Sequence, residues 1–363
     1  MSAPQTPMDD VIARSVAQAT PAVPPVTHPA ADAGGTAATA FDGRGRRIHL
    51  QEVGPRDGLQ AEERFVDTED KIALVDALSA AGLAKIEVSS FVSATAIPQL
   101  RDAEAVLRRI RRRPGVVYSA LVPNPRGAER ALESGADELN LVMSASASHN
   151  LANLRMTQAQ SLAALAQTAA LARAAGVAVN VSLSCSFGCP MEGEVPPDAV
   201  LDWCGRCLAE TGASGLTLCD TTGMAYPTQV ARLTRAFLGR FAGTELTLHF
   251  HNTRGMGLAN VLAGIEAGAD RFDASVGGLG GCPYAPGATG NVCTEEIAHA
   301  LQWMGWDTGV DLGLLLQASR RLPTLVGHDV PSQLLKAGDR LALHPLPADF
   351  EQIRARALAR AQG

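Results

Sequence analysis

One pattern recurs through most of the chain: a short apolar run of strand length, then a break at Gly, Pro or a polar residue, then a helical stretch. The apolar runs cover residues 48–53, 85–89, 116–122, 138–144, 178–184, 215–219, 245–251 and 271–276. Strands that alternate with helices pair in parallel, because a parallel connection needs a long crossover. Eight such units also close a (β/α)8 barrel, so the sequence predicts an α/β protein with the TIM-barrel fold.

An open, doubly wound sheet is the alternative for alternating strands and helices. Its usual phosphate-binding turn, Gly-x-Gly-x-x-Gly, follows the first strand. The first turn here reads Gly54-Pro55-Arg56-Asp57-Gly58 instead. This difference favours the barrel.

The chain divides by composition into three parts. Residues 1–45 are rich in Ala, Pro and Thr without apolar periodicity, which predicts a disordered leader. A mitochondrial transit peptide would be Arg-rich and poor in acids, but Asp9, Asp10 and Asp32 accompany a single early Arg14. We expect the barrel over residues 46–306 and extra C-terminal helices over 307–363.

Charge and composition exclude several classes of function. The net charge is -6 and only 4% of residues are aromatic, which disfavours a nucleic-acid-binding surface. No apolar run reaches the roughly 18–20 residues of a membrane span. Seven cysteines without a secretory pattern predict reduced thiols. We therefore expect a cytoplasmic protein that binds neither nucleic acid nor membrane.

Polar residues stand at the carboxyl ends of several predicted strands, where barrel enzymes carry their active sites. The first strand ends in Arg56-Asp57, the second contains Glu87, and the sixth ends in Asp220. Each has an ordinary structural explanation, such as an Arg56–Glu87 ion pair. Their location on one predicted face favours a catalytic role.

The seventh strand ends in a pair of histidines, His249 and His251. Residues two apart point to the same side of a strand, and strands seven, eight and one are neighbours in a barrel, so Asp57 should lie nearby. Two imidazoles and a carboxylate suit zinc or iron. With an amide oxygen from the Gly-rich loop that ends at Asn291, Mg2+ or Mn2+ becomes the better expectation. Two satisfied structural histidines are the alternative.

Two further motifs are expected to be structural. The arginines at 108, 109 and 111–113 end a barrel helix at the face opposite the strand ends, where cations also suit the helix dipole. Cys204-x-x-Cys207 lies within a predicted helix, and no second Cys pair at zinc-finger spacing follows it.

Several of these segments together resemble the 3-hydroxy-3-methylglutaryl-CoA lyase family of the DRE-TIM metallolyases. The matching stretches are residues 53–60, 90–93, 97–99, 249–251 and 278–291. The opening motif is shared with the wider superfamily, whereas the Gly-Gly-Leu-Gly-Gly-Cys-Pro-Tyr-Ala loop is more specific to the lyases. The resemblance covers roughly residues 46–320.

The resemblance implies a set of site residues. The metal ligands would be Asp57, His249, His251 and Asn291. Arg56, supported by Glu87, would stabilise an enolate-like thioester oxygen, and Cys282 would be an acid/base thiol. Asp220 and Glu52 match acidic positions of the family, and Gln60 would contact the substrate. Cys219, Met191, Asn252 and Ala61 depart from the usual family residues. The departures at Met191 and Ala61 leave the acyl chain open.

The implied reaction is a metal-dependent retro-Claisen cleavage of 3-hydroxy-3-methylglutaryl-CoA to acetyl-CoA and acetoacetate, in leucine catabolism and ketone-body metabolism. Asp57 and His249 both remain candidates for the base. A lyase for another 3-hydroxyacyl-CoA, a Claisen-type acyl-CoA synthase and a metal-binding pseudoenzyme scaffold are the alternatives. The family further implies a homodimer.

Overall fold

Eight parallel strands form a closed barrel in which each strand is hydrogen-bonded to the next along the chain, and the last pairs with the first. The computed structural model describes residues 39–281 and 290–360. These residues fall into two compact units, 39–336 and 337–360. The barrel lies in the first unit and confirms the predicted TIM-barrel fold.

The strands lie close to their predicted positions. They are β1 (His49–Glu52), β2 (Lys85–Ser90), β3 (Val117–Val122), β4 (Glu138–Ser144), β5 (Ala178–Ser184), β6 (Gly215–Asp220), β7 (Glu245–Phe250) and β8 (Arg271–Ala274). The first and last are shorter than predicted, because the chain leaves β1 through a π-helical turn (Gly54–Gly58) and β8 through a 3-10 turn (Val276–Gly278).

Helices connect the strands and continue after the last one. The first twelve described helices are α1 (Thr68–Ala80), α2 (Ala103–Arg109), α3 (Pro125–Glu133), α4 (Ala147–Leu154), α5 (Gln158–Ala174), α6 (Pro197–Thr211), α7 (Pro227–Arg240), α8 (Gly257–Glu266), α9 (Thr294–Trp303), α10 (Leu312–Ser319), α11 (Leu322–Val326) and α12 (Gln333–Ala337). The extra C-terminal helices were predicted. The second unit contains α13 (Phe350–Arg360), in which residues 351–360 are exposed.

The main hydrophobic core lies between the strands and the helices. Alternate strand residues such as Leu50, Leu141, Leu216 and Phe272 are fully buried there. Gly264 on α8 shows how closely the two layers approach, because a Cβ at this position would stand 2.6 Å from Leu248 Cδ1. Any larger residue there would require the Leu248 side chain or α8 to move.

The arginine run at the end of α2 pairs with acidic neighbours. Arg109 contacts Glu69, and Arg112 contacts Asp137, which directly precedes β4. The Asp137 contact places the end of the run near the amino ends of the strands, away from the end that carries Arg56 and Asp57. The arrangement agrees with the predicted structural role.

The described part of the predicted leader is tied to the first unit. Trp306 Nε1 donates to the Ala40 carbonyl, and the Ala40 amide donates to Glu266. Residues 1–38 lie outside the described part of the chain. Among the described helices, none is long and apolar enough to cross a bilayer.

Candidate active site

Arg56 and Asp57 lie on the π-helical turn that follows β1. Pro55 at the start of the turn suits a helical φ, and the Asp57 amide donates to the Val53 carbonyl across 2.6 Å. The turn places both side chains at the carboxyl end of the barrel, where they are mostly buried. Arg56 Nη1 lies 2.5 Å from Asp57 Oδ1, and Arg56 Nε donates to Glu87 on β2.

His249 and His251 come to the same end from β7. Their ring centroids are 5.2 Å apart, and His251 Nε2 lies 3.9 Å from Asp57 Oδ2. One potential ligand atom from each of Asp57, His249 and His251 lies within 4.8 Å of the other two. Within the described residues, this is the one group of three His, Cys, Asp or Glu side chains arranged to hold a metal ion.

Asn291 completes the predicted set of ligands. Its backbone forms an antiparallel bridge with His251, and its Nδ2 donates to Asp57 Oδ2 at 2.7 Å and to the Leu279 carbonyl at 3.1 Å. Gly280 permits this approach, because a Cβ there would collide with the Asn291 amide. The Asn291 Oδ1 atom is buried without a hydrogen-bond partner among the described residues.

The chemistry of these donors fits a divalent cation. An anionic oxygen, two imidazoles and an unpaired amide oxygen meet in one buried place. Ligation by Asn291 would require its amide to rotate, so that oxygen rather than nitrogen faces Asp57.

The electrostatic surroundings of Asp57 and His251 favour the protonation states in which these two side chains can bind a metal ion. Burial raises the pKa of Asp57, but the Arg56 guanidinium and the two imidazoles outweigh it, so the pKa lies well below its usual range. Burial and the neighbouring His249 lower the pKa of His251 to about 4. Asp57 is therefore ionised and His251 neutral near pH 7, as metal binding requires.

Comparison with known proteins identifies the family. Residues 47–322 match the profile of the family described as HMGL-like. The chain belongs to the HMGL-like family. Hydroxymethylglutaryl-CoA lyase YngG of Bacillus subtilis is 45% identical over 291 residues, which cover 80% of this chain and 97% of the relative.

Two further similar proteins extend the comparison. A 3-hydroxy-3-isohexenylglutaryl-CoA/hydroxy-methylglutaryl-CoA lyase of Pseudomonas aeruginosa is 42% identical, over 80% of this chain and 97% of the relative. The structure of an HMG-CoA lyase from A. baumannii in complex with coenzyme A and 3-methylmalate has a TM-score of 0.80 and 48% identity, covering 86% of this chain and 100% of that one.

In this HMGL-like chain, Asp220 lies at the end of β6, but its hydrogen bonds go to the following loop. Its Oδ1 accepts from the backbone amides of Met224 and Ala225 at 2.7 and 3.1 Å. Burial raises the pKa of Asp220 to about 6. No hydrogen bond among the described residues joins Asp220 to Arg56, Asp57 or the histidines, so its arrangement supports organisation of the β6–α7 loop.

Three predicted site residues remain: Gln60, Glu52 and Cys282. Gln60 follows the π-helical turn and is half-buried. Glu52 is fully buried and accepts hydrogen bonds from the Gly54 and Val276 amides and from the Thr294 hydroxyl. Cys282 lies outside the described residues.

One residue beside the candidate metal ligands was not predicted from the sequence. Asp273 on β8 is buried, and its Oδ2 lies 3.3 Å from His249 Nδ1. The parallel register places Asp273 directly beside His249. A carboxylate between the apolar residues Phe272 and Ala274 was the available signal, and a carboxylate between Ile86 and Val88 had pointed to Glu87 in the same way.

Proposed function

We propose that this protein is a divalent-metal-dependent carbon–carbon lyase that cleaves 3-hydroxy-3-methylglutaryl-CoA into acetyl-CoA and acetoacetate. The observation that carries the proposal is the cluster of Asp57, His249 and His251 beside the Arg56 guanidinium at the catalytic end of the barrel. The activity named for the Bacillus subtilis relative and the coenzyme A bound in the A. baumannii structure support the substrate class.

Asp57, His249, His251 and Asn291 would hold the cation, which we propose to be Mg2+ or Mn2+. The bound cation would supply a Lewis acid for the tertiary hydroxyl and a carbonyl oxygen of the substrate. Asp273 would orient the His249 ring through Nδ1, as carboxylates do behind many metal-binding histidines.

The chain's own residues would then move protons and stabilise charge. Asp57 or His249 would take the hydroxyl proton, and the oxygen would become the ketone oxygen of acetoacetate as the bond to the carbon next to the thioester breaks. That electron pair passes to the thioester carbonyl, forming an enolate oxygen that Arg56 stabilises. Cys282 would deliver the proton to the enolate carbon, which completes acetyl-CoA.

The other site residues would support this chemistry. Glu87 would fix Arg56, Gln60 would contact the substrate at the mouth of the site, and Asp220 would hold the β6–α7 loop. We propose residues 46–306 as the catalytic domain and 307–363 as a C-terminal extension of a cytoplasmic homodimer that serves leucine and ketone-body metabolism.

A lyase for a longer 3-hydroxyacyl-CoA is the second candidate. The Pseudomonas aeruginosa relative is named for an isohexenyl substrate as well as the methyl one. Met191, in the loop after β5, is 47% exposed and offers apolar surface for such a chain.

The test is metal-dependent product formation. Metal-stripped protein is incubated with 3-hydroxy-3-methylglutaryl-CoA and a thiol reductant, with or without Mg2+ or Mn2+, and acetoacetate is quantified. We expect product only after metal is restored. Turnover of a longer 3-hydroxyacyl-CoA alone would support the second candidate. Folded protein that binds no divalent cation would contradict the proposed site.

A further inference from the structure

The inside of the barrel beneath Arg56 is polar. A small cavity there is lined by residues from seven of the eight strands, among them Gln51, Lys85, Glu87, Ser119, Asn140 and Asn180. Barrel interiors are usually filled by branched apolar side chains. A polar interior must satisfy its hydrogen bonds internally, which fixes the orientation of its side chains.

A chain of hydrogen bonds runs through this interior to Arg56. Glu87 Oε2 accepts a hydrogen bond from Arg56 Nε, and Glu87 Oε1 accepts one from Asn140 Nδ2 at 2.7 Å. The Asn140 Oδ1 in turn accepts from Asn180 Nδ2 at 3.0 Å and from Ser182 Oγ at 2.9 Å. Both ends of the Asn140 amide are therefore engaged, across strands β2, β4 and β5.

These bonds define which way the Asn140 amide faces. Its oxygen is held by two donors, so its nitrogen must face Glu87. The reversed amide would place oxygen against the Glu87 carboxylate and nitrogen against the Asn180 Nδ2 donor, and it would lose both of these bonds. Asn180 is itself anchored, since its Nδ2 also donates to Thr217 Oγ1 at 2.9 Å.

A neutral donor at position 140 also keeps two ion pairs separate. Lys85 precedes Glu87 by two residues on β2, but its Nζ contacts both carboxylate oxygens of Glu138 at 2.7 and 2.8 Å. The Asn140 amide holds Glu87 Oε1 as an uncharged donor, and the ion pair of Glu87 is with Arg56.

We infer that Asn140 is a positioning residue for the lyase reaction: by holding the Glu87 carboxylate, it fixes the direction of the Arg56 guanidinium at the reacting thioester. This inference rests on the proposed function. It assigns Asn140 an effect on turnover that is exerted through Glu87 and Arg56.

The test is a double-mutant cycle between positions 140 and 87. In the native background, Asn140→Ala should lower kcat by about 10–100-fold, as small misplacements of catalytic groups do. KM should stay near native, because the lost interaction stabilises charge that develops in the transition state. In a Glu87→Ala background, Asn140→Ala should cause no further loss of kcat. Equal losses in both backgrounds would show a general structural role and overturn the inference.

Two variants control for damage to the fold. Asn140→Asp keeps the size of the side chain but turns a carboxylate toward Glu87, and it should lower kcat at least as much as Asn140→Ala. Gln51→Ala removes another buried inward amide, whose nitrogen donates to Thr247 rather than to Glu87. The Gln51 variant should keep native kcat, and a loss as large as that of Asn140→Ala would contradict the inference.

An NMR measurement of hydrogen exchange tests this inference independently of the lyase proposal. The Arg56 Nε–H resonance, identified by its absence in Arg56→Lys, should exchange slowly with water in the native protein and rapidly in Asn140→Ala. This outcome is expected even if the native protein fails to cleave 3-hydroxy-3-methylglutaryl-CoA, in which case only the proposed function is lost. An Nε–H signal that is unchanged in Asn140→Ala would overturn the inference directly.

Discussion

The inner side of the barrel strands is lined by polar and charged side chains, whereas the outer side, which faces the helices, is apolar. On β6, for example, Thr217 lines the inner cavity while Leu216 and Leu218 are fully buried in the core. The same alternation separates Asp273 from Phe272 on β8. One strand thus serves two environments, because successive side chains point to opposite faces.

The comparison teaches where stability and chemistry reside. Burial of the outer side chains provides the hydrophobic free energy of folding. The inner side chains are instead held by hydrogen bonds and ion pairs, which contribute less net stability but specify direction. Substitutions on the two sides should therefore affect different measurements.

The largest effect is expected at the proposed metal site. His251→Ala removes one ligand and should lower lyase activity by about 10³-fold or more, since a Lewis acid supplies several kcal/mol at the transition state. The thermal midpoint of the metal-free protein should change little. Isothermal titration with Mn2+ checks the cause, and native affinity in this variant would contradict the assignment of His251.

A core substitution should give the opposite result. Leu216→Ala leaves a cavity on the outer side and should lower the free energy of unfolding by about 2–5 kcal/mol. Denaturant titration measures the loss. Metal affinity and kcat of the folded protein should remain native, and a large fall in either would break the proposed separation of the two sides.

Asp273→Asn tests the support of His249 from inside the barrel. The variant keeps the shape of the side chain but weakens its hold on Nδ1, and Mn2+ affinity should fall by about 10–100-fold. Ser119→Ala, in the same interior but without a described bond to a ligand, is the matched control. Equal affinities in both variants would remove Asp273 from the metal site.

Glu52 is an exception, because it is a carboxyl group buried on the outer side. Burial raises the pKa of Glu52 from 4.5 to about 8. Between these values the folded state holds a proton that the unfolded state releases, so this group makes the free energy of unfolding fall as pH rises. The slope is at most about 1.4 kcal/mol per pH unit.

Glu52→Gln removes that contribution. Denaturant titrations from pH 5 to about pH 8 should show a flatter decline of stability with pH than in the native protein. A pH dependence identical to the native one would mean that Glu52 is ionised in the folded state.

The smallest effect is expected outside both sides of the barrel. Arg109 and Glu69 form an ion pair whose side chains are 51% and 72% exposed. Arg109→Ala should cost less than about 1 kcal/mol of stability. KM for the CoA thioester should not change, and a clear rise in KM would reassign the arginine run to coenzyme A binding.

Much of the fold could be predicted from local patterns. Apolar runs and breaks located all eight strands, because strand length and alternation are written in neighbouring residues. The strand ends that carry Asp57, His249 and His251 could also be brought together, because barrel closure makes strands seven, eight and one neighbours.

Contacts between side chains on distant strands required the folded chain. Asn140 carries no motif, and only the register of β4 against β5 and the reach of Glu87 bring it into the network behind Arg56. The sequence by itself determined the barrel and the residue types at its catalytic end, because both follow from short-range patterns. Only the tertiary structure decided that Asp273 supports His249 and that Asp220 bonds to its own loop, because hydrogen bonds depend on distances and directions that spacing along the chain does not contain.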